Sequence, residues 1–286
     1  MPTTDSPLRY PGGKSQLTPL VIDVLRQNKL FYGHYVEPFA GGAGIAWKLL
    51  QNNYVSHVHI NDLDPAIYAF WHSVLNRTDD LCDRISSVRV CMTQWYKQRA
   101  IQEKCRPTLL DLGFSTFFLN RTNRSGIIGA GVIGGISQDG DYTLSCRFNK
   151  ADLIRKIQRI GSMRERVSLY KRDALAFLTQ ILPDFPLNAL VNLDPPYYTK
   201  GPELYRNHFT HQDHASLARA VARIRQYWMV TYDDTAETRA LYARYPSFTQ
   251  DLNYAAQVKR IGVELLVLDP RLVVPASLAN AQRQVA

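Results

Sequence analysis

The sequence has few cysteines, and none lie at metal-ligand spacing. Only Cys82, Cys91, Cys105 and Cys146 occur in 286 residues, with no CxxC pair among them. This excludes a disulfide-stapled scaffold and a zinc site of ordinary spacing, and it suits reduced thiols in a cytosolic protein. Long hydrophobic runs are also missing: no stretch approaches the roughly 20 apolar residues a membrane-spanning helix needs. The first fifteen residues, MPTTDSPLRYPGGKS, are polar and lack the apolar core of a secretory signal peptide. A soluble, cytoplasmic protein is therefore expected. The sequence contains no internal repeat and no low-complexity segment. The seven histidines, His34, His57, His59, His72, His208, His211 and His214, form no ligand set. His211 and His214 flank Asp213 three residues apart, which reads as the surface of a helix start, so no metal is expected.

Acidic residues are in deficit. Twenty-five Asp and Glu stand against 34 Lys and Arg, giving a net charge of +9. A basic excess favours polyanionic partners through counterion release from a phosphate backbone, although charge alone does not identify one.

At both ends of the chain, short β-type runs alternate with helix-type runs. Residues 34–37, 55–60, 167–170, 189–193, 228–232 and 264–268 read as strands. Residues 44–52, 64–75 (with Pro65 in the first turn), 174–182 and 211–226 read as helices. This alternation implies an α/β protein with a mostly parallel sheet covered on both faces. The segment from about Arg77 to Ile160 breaks the rhythm. It is helical in pattern over 81–103, glycine-rich over Gly126–Gly135, and carries a hairpin-type turn signal at Gln138-Asp-Gly-Asp141. We read 77–160 as an inserted, mainly helical subdomain with a β-hairpin, and 1–76 with 161–286 as the main domain. The insertion carries Arg121, Asn123, Arg124, Arg147 and Lys150, residue types that contact phosphates and base edges; a solvated basic face is the plainer alternative.

Three motifs carry chemistry. Asp194-Pro195-Pro196-Tyr197 follows the apolar run Ala189–Leu193, which places a carboxylate just past the C-terminal end of a strand, where open α/β sheets bind ligands. Two consecutive prolines fix the backbone and remove two N–H donors, leaving rigid carbonyl acceptors. An acidic side chain beside a fixed carbonyl suits an amino group that donates two hydrogen bonds, and Tyr197 offers a flat face to a planar base. Glu37-Pro38-Phe39-Ala40-Gly41-Gly42-Ala43-Gly44 is a strand, a glycine turn and a helix start, which lets a ligand approach the backbone and free N–H groups. Asp62, at the end of the next strand, stands where acidic residues grip ribose hydroxyls. The turn is not the GxGxxG of dinucleotide-binding oxidoreductases. Arg9-Tyr10-Pro11-Gly12-Gly13-Lys14-Ser15 is half a phosphate-binding loop, but Leu8 occupies the position of its first glycine and no strand precedes it, so a nucleotide triphosphatase is rejected.

Taken together and in this order, the motifs resemble the Dam-like, D12-class family of N6-adenine DNA methyltransferases over nearly the whole chain. The resemblance implies a Rossmann-like methyltransferase sheet, S-adenosylmethionine as cofactor, double-stranded DNA as partner and a flipped-out adenine as target. A companion restriction endonuclease is left open, as is the choice between monomer and weak dimer. The resemblance also implies roles for residues. Tyr10 and Lys14 help hold the cofactor, Glu37, Phe39, Gly41 and Gly42 surround its methionine part, and Asp62 takes its ribose. Asp173 and the Ala174 backbone lie by its adenine. Asp194, Pro195, Pro196 and Tyr197 form the catalytic tetrapeptide, and Phe209 contacts the target nucleotide. The 77–160 insertion becomes the target-recognition subdomain; within it only Asn120-Arg121 and Cys146–Asn149 match family landmarks. Two other classes remain as alternatives, an RNA or protein N-methyltransferase and a DNA-binding regulator without activity.

Overall fold

A computed structural model describes residues 4–9, 14–199, 209–254 and 260–278. By its own internal packing the chain divides into two units, one of Met1–Gly13 with Asp64–Lys171 and one of Lys14–Leu63 with Arg172–Ala286. The span 77–160 lies wholly within the first.

The second unit is organised by its strands, β1 (His34–Glu37), β2 (His57–Asn61), β4 (Ala189–Leu193), β5 (Tyr227–Asp233), β6 (Ser247–Tyr254) and β7 (Arg260–Leu268), in the order β2-β1-β4-β5-β7-β6. β1 pairs in parallel with β2 from His34↔His57 to Glu37↔Ile60 and with β4 from His34↔Ala189, and β4 pairs in parallel with β5. Every residue of β4 is buried, as expected of a strand covered on both faces, whose sequence need not alternate. Helices α1 (Thr18–Gln27) and α2 (Gly44–Gln51) flank β1 in sequence. β1 is followed in sequence by β2 on one side of it, and on the other side the sheet continues with β4. This reversal opens a crevice beyond the C-terminal ends of β1 and β4.

The sheet is mostly parallel as expected, with an antiparallel edge, and one helix departs from its pattern. The sheet is mixed: β7 runs antiparallel to β5 and forms an antiparallel pair with β6. β6 went unread because its polar SFTQDLNY sequence pairs along one edge only and needs no continuous apolar run. The helix-type pattern over 174–182 begins as α8 (Ala174–Ala176) but continues as a π turn over Phe177–Ile181.

The first unit is mainly helical: α3 (Pro65–Asn76), α4 (Thr78–Ser87), α5 (Met92–Glu103), α6 (Leu109–Thr122) and α7 (Lys150–Gly161), with strand β3 at Val167–Tyr170. Capping explains where three of them start. The Asp64 carboxylate accepts the Ala66 N–H ahead of α3, Thr108 Oγ1 accepts that of Asp111 ahead of α6, and Asn149 Oδ1 accepts that of Asp152 ahead of α7. The core is aromatic, with Phe70 stacked on Phe117 at 5.9 Å and Phe148 edge-on to Phe117 at 5.4 Å. Gly113 permits the close approach of α6 to α3, since a Cβ there would lie 2.5 Å from the Ala69 carbonyl oxygen.

The hairpin expected around 138–141 does not form. The segment between α6 and α7 is turns and bends, with a single isolated bridge pairing Asn123 with Val132. The Gln138 side chain takes the backbone groups a partner strand would have used. Its amide donates to the carbonyls of Ile133 and Gly135, and its oxygen accepts the Leu144 N–H. No helix among the described residues is long and apolar enough to cross a membrane.

Candidate active site

Asp194 leaves the C-terminal end of β4 and lies half-buried. Its Oδ1 accepts the Thr231 hydroxyl of β5 at 2.8 Å and faces the Lys14 ammonium at 3.5 Å. Burial raises its carboxyl above the ordinary carboxylate range; Lys14 pulls it down, Glu264 pushes it up, and Thr231 lowers it. Pro195, Pro196 and Tyr197 are buried. The Tyr197 hydroxyl donates to Glu264 Oε1 at 2.8 Å and accepts from Lys14 Nζ at 2.5 Å. Lys14 Nζ also pairs with Glu264 Oε2 at 2.8 Å, and both of these side chains are 3% exposed. Lys14 therefore sits beneath the tetrapeptide, its ammonium held among Asp194, Tyr197 and Glu264.

The glycine turn departs from β1, the strand beside β4. Ala40 N–H donates to the Asn61 carbonyl and Gly41 N–H to Asp62 Oδ2 at 2.8 Å, so Asp62 secures the turn from the end of β2. Asn61 extends the brace. Its amide donates to the carbonyls of Pro38 and Arg172, and its oxygen accepts the Arg172 N–H. Glu37, Gly41 and Gly42 are buried and Phe39 is half-buried. Ala43 is the left-handed residue (φ 47°) ahead of α2, a conformation that costs an L-residue about 1–2 kcal/mol.

Burial pushes the Glu37 carboxyl up to about 8; Asp194 adds to the rise, while the Tyr35 hydroxyl and the Ala46 N–H oppose it. Beside this network, Asn192 donates to the Tyr35 hydroxyl at 2.8 Å, and its own amide oxygen is buried with no hydrogen-bond partner. Burial disfavours the ionised Glu37 carboxylate, a cationic ligand would restore it, and the unmatched Asn192 oxygen offers a further acceptor. The amino and sulfonium groups of S-adenosylmethionine supply such charge, so these residues fit that cofactor.

The other expected positions divide. Asp173 is exposed and caps α8, its Oδ1 accepting the N–H groups of Leu175 and Ala176, with Ala174 buried behind it. Phe209 meets Phe39 edge-on at 5.9 Å and lies 5.3 Å from His214, which brings an expected nucleotide contact against an expected cofactor contact. Tyr10 lies outside the described residues.

In the first unit, the five polar residues expected on DNA differ sharply. Asn123 is fully buried. Its oxygen accepts the Trp95 indole N–H at 2.6 Å and its amide donates to the carbonyls of Ile127 and Ile128, so the side chain is occupied within the protein. Arg121 is half-buried, donates to the Arg147 carbonyl and is lowered to about 10 by burial, with Arg9 nearby. Arg147 is half-buried. The Lys150 ammonium donates to the Ser86 carbonyl at 2.6 Å. Arg124 is exposed.

Three residues given no role in the sequence reading organise these sites: Glu264, Asn61 and Asn120, the last noted there only as a family landmark. The buried Asn120 side chain accepts the Arg9 N–H and donates to the carbonyls of Arg9 and Gly126. Gly126 is required there, because its φ is +77° and a Cβ would lie 2.3 Å from the Arg9 carbonyl oxygen. A glutamate within an apolar strand was the available signal for Glu264. Nothing local marks the role of the two asparagines, whose partners Pro38, Arg172 and Arg9 are distant in sequence.

An α/β fold with a carboxylate and a glycine turn at neighbouring strand ends is the architecture of a methyltransferase. Residues 10–257 match the model of the D12 class N6 adenine-specific DNA methyltransferases, and the chain belongs to that family. Among curated proteins none matches the chain. Among solved structures, it is similar to the rRNA methyltransferase aviRa of Streptomyces viridochromogenes, at 14% identity over 95% of this chain and 89% of that one, with a TM-score of 0.38. It is also similar to the precorrin-6y C5,15-methyltransferase of Geobacter metallireducens, at 11% identity over 89% and 87%, with a TM-score of 0.36.

Proposed function

We propose that the protein methylates the N6 amino group of adenine in duplex DNA, using S-adenosylmethionine. The observation that carries this reading is the placement of Asp194 and the rigid Pro195 carbonyl at the end of β4, directly beside the strand that feeds the glycine turn. When bound, the cofactor supplies an electrophilic methyl group. Glu37 takes its cationic amino-acid end, with Phe39, Gly41 and Gly42 around it; Asp62 takes the ribose while still holding Gly41, since a carboxylate offers about four acceptor sites. Asp173 and Ala174 border the adenine, and Tyr10 and Lys14 complete the set, Lys14 acting through the tetrapeptide it supports.

Duplex stacking hides the target amino group, so the nucleotide is flipped out at a cost of a few kcal/mol. Stacking on Tyr197, with Phe209 alongside, returns about 1–3 kcal/mol per base. The amino nitrogen is a weak nucleophile because its lone pair is conjugated with the ring. Asp194 and the Pro195 carbonyl accept its two hydrogens and draw them out of the ring plane, which frees the lone pair. Fixed acceptors need no reorganisation during the reaction, and most of the acceleration comes from this preorganisation and from positioning. Residues 77–160 serve as the recognition subdomain. Arg124 is the best placed to reach DNA, with Arg121, Arg147 and Lys150 adding positive charge and Asn123 shaping the loop from inside.

The test is transfer of labelled methyl to duplex DNA and to RNA, followed by digestion to nucleosides. The expected product is N6-methyldeoxyadenosine; label confined to RNA, or found on cytosine, contradicts the proposal.

A further inference from the structure

Among the described residues, one cation faces two carboxylates beneath the catalytic tetrapeptide. Lys14 Nζ lies 2.8 Å from Glu264 and 3.5 Å from Asp194, so its closer pairing is with the residue that does not reach the target. Glu264 also accepts the Tyr197 hydroxyl, and Lys14 donates to that same oxygen. Glu264 sits on β7 opposite Asp233 of β5, in the antiparallel part of the sheet. The antiparallel β7 thus supplies the counter-charge for a site whose acceptors come from a parallel strand.

We propose that Glu264 is a positioning residue for methyl transfer. It holds the Lys14 cation away from Asp194 and anchors the Tyr197 hydroxyl, so the Asp194 carboxylate keeps unneutralised charge with which to accept the target amino hydrogens. This rests on the adenine-methyltransferase reading above. The charges among the described residues support it: one ammonium faces two carboxylates, an excess of negative charge suited to a reaction that brings positive charge onto the amino nitrogen. Without Glu264, Lys14 pairs with Asp194 alone and Asp194 becomes a weaker acceptor.

Among the described residues, the titratable groups that face Asp194 are Lys14, Glu264 on β7, Tyr35 and Glu37 on β1, and Tyr232 on β5. Glu264→Gln keeps the shape and removes one negative charge. Methyl transfer requires ionised Asp194, so activity is lost as pH falls through its folded pKa. In Glu264→Gln that acid limb is expected to move to lower pH. The single-turnover rate on duplex DNA should fall at least about tenfold at saturation, with the cofactor dissociation constant nearly unchanged. Carbon-13 NMR of the Asp194 carboxyl, assigned with Asp194→Asn, reads the same titration without activity. Should Glu264→Gln fold poorly, Lys14→Met combined with Glu264→Gln removes both buried charges, a replacement that proteins often tolerate. With the double variant shown to be folded by circular dichroism, its Asp194 titration is expected above that of wild type, because Asp194 has then lost its cationic neighbour; a titration at or below that of wild type overturns the inference. An unmoved or raised titration in Glu264→Gln, or an unchanged rate, overturns the inference. A wild type that transfers no methyl to DNA overturns the functional reading instead, while the NMR titration still reports on the charge arrangement.

Discussion

The Asp233 carboxylate, at the end of β5, accepts the backbone N–H of Tyr198 at 2.8 Å, and its second oxygen accepts that of Thr199 at 2.9 Å. Pro195 and Pro196 offer no N–H, so the chain leaving the tetrapeptide is anchored at the first residues beyond Tyr197. Charged acceptors make hydrogen bonds worth about 1.5–3 kcal/mol each. Asp233→Ala is expected to lower the single-turnover rate by at least about tenfold and to leave the cofactor dissociation constant within about twofold. Rapid-quench kinetics with equilibrium binding checks this, and an unaltered rate contradicts it.

Glu37 makes stability depend on pH. Its carboxyl is near 4.5 when unfolded and about 8 when folded, so the folded protein binds more protons between those values. Stability conferred by the protonated form is therefore full below about pH 4.5 and declines as pH rises toward 8, by an amount on the order of a few kcal/mol. Glu37→Gln removes this slope and should be the more stable protein at pH 8.5. Urea denaturation of both proteins at pH 5 and pH 8.5 checks it; parallel pH curves would count against it.

The histidine cluster acts in the opposite direction. His34 Nδ1 and His59 Nε2 lie 2.9 Å apart, and the His59 ring stacks on Phe185 at 3.9 Å. Burial lowers His59 from 6.5 to about 3, with His57 and His34 adding to the fall. The unfolded chain thus binds more protons between about pH 6.5 and 3, and stability is lost as pH falls through that window. His59→Gln should flatten the acid limb of a thermal-stability profile. An identical limb in the variant refutes the assignment.

Asn120 and Arg124 separate scaffold from contact. Asn120→Ala removes the partner of part-buried backbone groups of Arg9 and of the buried Gly126 carbonyl and should destabilise the protein by about 2–4 kcal/mol. Arg124→Ala, on an exposed side chain, should change stability by less than about 0.5 kcal/mol while weakening DNA binding and flattening its salt dependence. Chemical denaturation and binding titrations at two salt concentrations distinguish them. Equal effects on stability would place Arg124 in the scaffold.

Residues 34–37, 189–193 and the tetrapeptide were legible because a buried parallel strand needs an apolar run and its end needs a break, both local features of sequence. The glycine turn was legible for the same reason. Ser247–Tyr254 was not, because an edge strand can stay polar. The Gln138 turn misled, because its side chain satisfies the backbone groups that a hairpin partner would have met. Asn123 misled in another way: an asparagine between two arginines looks like a surface contact, yet Trp95 and the loop carbonyls occupy it. Lys14 and Glu264 lie 250 positions apart in sequence, and only the fold brings their charges together.

The most direct test of the central claim is Asp194→Ala, measured for both methyl transfer to duplex DNA and binding of S-adenosylmethionine. If Asp194 grips the target amino group, transfer falls below detection while the cofactor dissociation constant stays within a few-fold of wild type. Normal turnover at saturation, with cofactor binding lost instead, contradicts the account.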